Sequence, residues 1–324
     1  MSRITQAVNG RVSARRVPAS LRALMGSCLL ATAAQAPAQS PAGGAEPISI
    51  LLVTGQSSIY HDWQKSSRRI ERILDETGLF EVSVVTTPAA GEPMTTFAPN
   101  WSRYAAVVLD YDGDEWSAAT RASFEAWLED GGGLVLFHAA DNAFPDWPEF
   151  QRMAGVGGWR GRDESAGPKL RWRDGGPVLD AGPGIAQHPP QHDFRIVTRA
   201  PDHPVMRGLP EIWLQANDEL YSQLRGPALE VTILATARAD ETLRGATGEH
   251  EPMLMAIRYG DGRVFHTTLG HVGPRDVEPV ATLASVGFIV TLQRGTEWAA
   301  TGEVTQAVPA DFPGTDHPSL RELL

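Results

Sequence analysis

The chain has almost no thiol. Its one cysteine, Cys28, lies in an N-terminal segment ahead of everything that reads as folded domain. Disulfides and a thiol nucleophile are therefore excluded from the folded part. Serine-based acyl transfer lacks its signature as well, because no GxSxG elbow occurs. Neither a GxGxxG turn nor a Walker loop is present, so nucleotide binding has no support. Lysine is nearly missing: Lys65 and Lys169 are the only two. We read that bias as the base composition of the gene, not as function. Positive charge is short overall, with 28 Lys and Arg against 39 Asp and Glu. Such a balance argues against a nucleic-acid partner. It fits a protein that handles neutral or cationic small molecules. Past the N-terminal segment no apolar run is long enough to span a membrane.

The N-terminal segment concentrates what the rest lacks. Arg3, Arg11, Arg15, Arg16 and Arg22 precede an apolar stretch from Leu21 to Ala36, with no acid in residues 1–38. Two small-x-small cleavage patterns follow, ending at Ala36 and Ala38. The second is favoured because a cut after Ala36 would place Pro37 next to it. This reads as a bacterial-type export signal over 1–38, with periplasmic or secreted destination. Arg15-Arg16 hints at the twin-arginine route, but Pro18 and Ala19 follow where a bulky apolar residue is usual. Residues 39–47 form a Pro/Gly/Ala linker.

What is there in quantity is apolar sequence with strand and helix periods. With 42% hydrophobic residues, 324 positions suffice for one large domain with a full core. Strands are expected at Ile48–Thr54, Phe80–Thr86, Tyr104–Asp110 and Leu134–Phe137. Helices are expected at Gln64–Thr77 and Ser117–Asp130, the second ended by three glycines. Later strands are expected at His192–Thr198, Leu229–Ala237, Met253–Tyr259 and Arg263–Leu269, the last two joined by a Gly260-Asp261-Gly262 hairpin signal. A closing helix lies within Pro279–Trp298. Between them, residues 155–190 are rich in Gly, Pro, Arg and Asp, with little period; such a stretch is usually a lid or functional loop. Residues 306–324 read as an irregular tail. The pattern predicts an α/β fold: a mainly parallel sheet with helices on both faces, an antiparallel extension and a long loop insertion.

Ligands of open α/β sheets sit beyond the carboxyl ends of strands. His61, His138 and His271 have that address, and Asp141 follows His138 closely. His266 lies inside a strand and reads as a buried, hydrogen-bonded residue. His203 sits in a turn and His317 in the tail. The acidic run Asp110, Asp112, Asp114 and Glu115 lacks the spacing of a calcium loop and reads as a solvated turn. Asp218-Glu219 is different, because two acids between Leu214 and Leu220 are costly to bury unpaired. They should face a polar cavity, an arginine or a metal, with Glu219 the stronger candidate. His61, His138, Glu219 and His271 together are candidate ligands for a divalent metal, although no HxH or HExxH spacing ties them to one element.

At these motifs the chain resembles the ThuA-like family, named for trehalose utilisation. The matching pieces are Tyr60-His61-Asp62, Gly132 to Asp141, Gly157 to Asp163, Asp202 to Val205, Asp218 to Tyr221 and Gly262 to His271. They fall within residues 48–305. The resemblance implies a flavodoxin-like core similar to class I glutamine amidotransferases. In those enzymes a cysteine occupies the turn after the central strand; here His138 takes that region, so amidotransferase activity is not expected. The resemblance also implies sugar metabolism that passes through 3-keto sugars. One family feature, a glycine pair followed closely by His-Pro, is replaced here by Trp159 to Glu164. Either His188 or His192 stands in for it, or it is lost.

Two functions stay open at this level. One is an exported enzyme acting on a sugar or keto-glycoside by proton transfer next to a carbonyl, as a keto-sugar isomerase or related lyase. Glu219 would be the base, with His138 and His271 as donors or metal ligands. His61, Asp141, Arg160, His192, Tyr221, His250 and Glu251 would bind the substrate, and Trp159 would stack on a ring. The other is a non-catalytic carbohydrate-binding module with the same pocket. The number of titratable groups gathered around Glu219 favours the enzyme.

Overall fold

The computed structural model describes residues 46–322. The expected export signal and its cleavage site lie outside the described residues. Among the described residues, no helix is long and apolar enough to cross a membrane.

Four strands open the fold: β1 (Ile48–Thr54), β2 (Phe80–Thr86), β3 (Ala106–Leu109) and β4 (Gly133–Phe137). Helices α1 (Trp63–Asp75) and α2 (Ala118–Glu129) connect them. A short helix α3 (Pro148–Ala154) and a hairpin of β5 (Lys169–Arg173) and β6 (Gly176–Asp180) follow. The chain then lays down β7 (His192–Thr198), β8 (Ile212–Asp218), β9 (Val231–Ala237), β10 (Glu251–Tyr259) and β11 (Gly262–Thr267). It closes with α4 (Ala281–Ala284) and α5 (Val286–Thr301).

Nine of these strands form one sheet in the order β2-β1-β3-β4-β11-β10-β9-β7-β8. The run β2-β1-β3-β4-β11 is parallel throughout. Its order is that of flavodoxin-like folds, with β11 in the fifth place. The remaining four strands are antiparallel. The chain thus makes a long antiparallel excursion before returning to complete the parallel half.

Alternation along the strands sorts the core onto two faces. Ile50 and Leu52 of β1 pack with Ile70, Ile73 and Leu74 of α1 and Phe288, Ile289 and Leu292 of α5. Leu51 and Val53 pack on the other face with Phe124 and Leu128 of α2 and Phe150 and Met153 of α3. Each such side chain, fully buried, contributes roughly 1.5–3 kcal/mol of transfer free energy.

Local signals set the element ends. The Asp62 side chain accepts from the Lys65 amide and caps α1. Ser117 caps α2 in the same way through Thr120. Both lysines of the chain are engaged. Lys65 Nζ pairs with Asp62 and donates to the carbonyls of Gly273, Pro274 and Asp276. Lys169, only 4% exposed, donates to Pro183 O and pairs with Asp180.

Three expectations need correction. Residues 155–190 carry the β5–β6 hairpin, whose alternating charges gave no apolar period: Arg171 pairs with Asp180 and Glu251, and Arg173 with Glu249. Strand β8 is missing from the expected strands. Its buried polar members find partners in the fold, Gln215 bonding both Ser285 and Asp218. The acidic run after β3 is not a solvated turn, since Asp110 and Asp112 are buried.

Candidate active site

The parallel strands deliver their carboxyl ends to one place. Past β4 the chain turns sharply, and His138 takes φ 45°. Left-handed backbone is uncommon for a residue with a side chain and is often held at functional sites. The His138 ring is buried, 1% exposed. Its Nδ1 lies 2.6 Å from Thr268 O. A carbonyl can only accept, so Nδ1 carries the proton and Nε2 presents a bare lone pair. Tyr221 Oη, 2.9 Å away, donates to that lone pair. Burial, and then the Glu219 charge, push the Tyr221 phenol well above its usual range, so it keeps its proton. The same Oη accepts from His61 Nε2 at 3.3 Å, and His61 Nδ1 accepts from Ser58 Oγ at 3.0 Å. These tautomers are assigned from the network itself. One line of hydrogen bonds thus joins the loop after β1 to the ends of β4 and β11.

Glu219 and His271 are set by one carboxylate. Asp218, at the end of β8, is fully buried. It accepts from the amides of Glu219, Gly270 and His271 at 2.8, 2.9 and 3.1 Å, and from Gln215 Nε2 at 3.0 Å. Gly270 has φ 106°, and an added Cβ there would meet the Phe137 ring. The result places His271 Nδ1 at 3.1 Å from Glu219 Oε2. Burial alone would neutralise both partners. Their mutual contact outweighs it, holding the Glu219 carboxyl below and the His271 imidazole above its ordinary value. The contact therefore favours the carboxylate form of Glu219 and the imidazolium form of His271. His61 and His138 behave oppositely. Burial and the neighbouring imidazoles lower both, His61 to about 4.

His61, His138, Glu219 and His271 each offer one ligand atom, and the four atoms lie within 4.8 Å of one another. Three imidazoles and a carboxylate suit a first-row divalent ion. The bond from His138 Nδ1 to a carbonyl is the outer support such ligands usually have. His61 could present Nε2 by moving its proton to Nδ1, where Ser58 Oγ can accept it.

A cavity of ≈ 570 Å³ opens above this cluster. His61, Glu219, Tyr221 and His271 line it, together with Trp159, Arg160 and Asp112. Trp159 and Arg160 share a turn with φ 48° and 43°. Arg162 anchors that turn from behind, through the carbonyls of Asn142, Ala143 and Gly158. Trp159 lies against Tyr221 with ring centroids 4.6 Å apart.

The structure brings together His61, His138, Glu219, Tyr221 and His271, with Trp159 and Arg160 on the same cavity. It does not bring His192, His250, Glu251 or Asp141 to the cavity wall. His192 starts β7, bonded to Pro190 O and packed beside Phe194. His250 is tied to Arg199 and Thr236. Glu251 is buried against Arg171 and Thr247. Asp141 is fully buried, 3.3 Å from His266 Nε2. His192, His250 and Glu251 are bonded to structural partners and Asp141 sits against His266, which sequence position could not reveal. Of the two histidines that could replace the family's His-Pro feature, His188 is the one at the cavity, 3.6 Å from Glu219 Oε1. Asp112 and Asn142 also line it and were not expected. Position after β3 was the available signal for Asp112.

Comparison with known proteins follows the same lines. Residues 49–299 match the ThuA family model, described as trehalose utilisation. A ThuA-like protein from Parabacteroides merdae is 44% identical, with TM-score 0.82 over 85% of this chain and 98% of that one. A second, from Bacteroides uniformis, is 16% identical, with TM-score 0.51 over 82% and 97%, and shares the fold. No curated protein matches the chain. The chain belongs to the trehalose-utilisation family, ThuA.

Proposed function

We propose that this protein is an enzyme that moves a proton next to the carbonyl of a keto-sugar or keto-glycoside. The observation that carries the reading is the Glu219–His271 pair on the wall of the cavity. It holds a base and an acid side by side in their useful protonation states. Glu219 takes the proton from the carbon adjacent to the carbonyl. His271 gives its proton to the carbonyl oxygen, and an enediol results. Glu219 then returns its proton to the former carbonyl carbon while the adjacent enediol hydroxyl gives its proton to His271, which completes an isomerisation and restores both groups. The neutral imidazole of His138 and the protonated Tyr221 keep the charge localised on the working pair. If a divalent ion were held by His61, His138, Glu219 and His271, His271 would be deprotonated on it, and the ion in place of His271 would supply Lewis-acid polarisation of the carbonyl oxygen. A family named for trehalose utilisation is compatible with a sugar substrate.

The test is proton exchange. Methyl 3-keto-α-D-glucopyranoside is incubated with the protein in heavy water and followed by NMR. Deuterium should enter the carbon next to the carbonyl, and Glu219→Gln should slow that entry by roughly a hundredfold or more. Wild-type exchange no faster than buffer would overturn the reading.

A further inference from the structure

A second polar pair on the cavity wall, Asp112 and Arg160, has no role in the proton transfer. Asp112 is 4% exposed and lines the cavity. Arg160 Nη2 lies 2.7 Å from its Oδ1 and donates to the Asp112 carbonyl at 3.1 Å, so the two side chains form an ion pair on the cavity wall. The guanidinium makes no other hydrogen bond among the described residues, and its side chain is 36% exposed. One wall of the cavity therefore presents a carboxylate and the remaining N–H donors of a guanidinium a contact apart.

From this geometry we propose that Asp112 and Arg160 form a specificity subsite that reads a vicinal diol of a neutral sugar ring. The carboxylate accepts from two adjacent hydroxyls, and the guanidinium donates to one of their oxygens. A phosphate or carboxylate would satisfy Arg160 but be repelled by Asp112 and by Glu219 on the same cavity. The subsite thus selects a neutral polyol over a sugar phosphate or uronate. It deepens the keto-sugar reading, on which it rests for the identity of the ligand.

Binding, not turnover, tests it. Titration calorimetry of the full chain with methyl α-D-glucopyranoside and its monodeoxy analogues should show two adjacent hydroxyls whose loss weakens binding by about tenfold or more each. Glucose 6-phosphate should bind no better than the parent glycoside. Asp112→Asn should bind the parent weakly and no longer distinguish those two analogues. If Asp112→Asn fails to fold, Arg160→Met replaces it, and should weaken the parent while leaving affinity for at least one of the two analogues nearly unchanged. Equal affinity for every analogue, undetectable binding of the whole panel, or the wild-type pattern retained in the variant that folds would each overturn the subsite. Discrimination without proton exchange would leave the subsite standing and remove the enzyme reading; exchange without discrimination would do the reverse.

Discussion

His138 is the residue on which two roles can be told apart. Its Nδ1 supports a carbonyl contact and its Nε2 faces Tyr221 and His271. If the imidazole serves the proton chemistry, His138→Ala should lower turnover by roughly a hundredfold. If it only fills a buried position, the loss should appear as about 1–3 kcal/mol of stability. Melting and kinetics on the same variant decide between them. A protein that melts far below wild type but turns over normally once folded would refute the chemical role. The residues of this cluster were legible in the sequence because three of them, His61, His138 and His271, lie beyond the carboxyl ends of expected strands. His192, His250 and Glu251 were misplaced for an equally physical reason. Polarity announces that a side chain needs a partner, but it does not say whether the partner is a ligand or Arg171. Asp112 failed in the opposite direction, passing for solvated turn because its burial depends on Arg160 arriving from a remote loop.

At the scale of elements, strands β1 to β4 were legible from apolar runs alone, as were α1 and α2 from their period and caps. Strand β8 was not. Its inner positions include Gln215 and Asp218, which carry no apolar signal and are held by the amides of Gly270 and His271 past β11 and by Ser285 between α4 and α5. The turn after β11 depends on that arrangement. Gly270 combines a left-handed φ with contact against Phe137 and Phe288. Gly270→Ala should therefore destabilise the fold by about 1–3 kcal/mol and displace His271. Denaturant melts with a parallel exchange assay should show both losses together; unchanged melting with normal exchange would show that the turn tolerates a side chain.

For the molecule as a whole, the asymmetry of charge is the main clue to its life. Five arginines and no acid occupy residues 1–38, while the remainder carries 23 basic and 39 acidic residues. We propose export with cleavage after Ala38, and N-terminal sequencing of protein recovered from its native source should begin at Gln39. An intact Met1 would rule this out. The topology of the whole was legible in part. Strand-helix alternation pointed to the parallel half and the hairpin signal to the antiparallel half, but nothing local could show that β11 returns to pair with β4.

The two lysines bear on a hazard of sugar chemistry. Reducing and keto sugars condense with free amines, and proteins kept among them accumulate glycated lysines. Lys169 is sealed against Asp180 and Pro183 O, and Lys65 is spent on Asp62 and three carbonyls. Among the described residues no lysine amine stands free in solvent. The surface offers its ligands guanidinium groups instead, and the slow browning that carbonyl sugars inflict on ordinary proteins finds little here to attack.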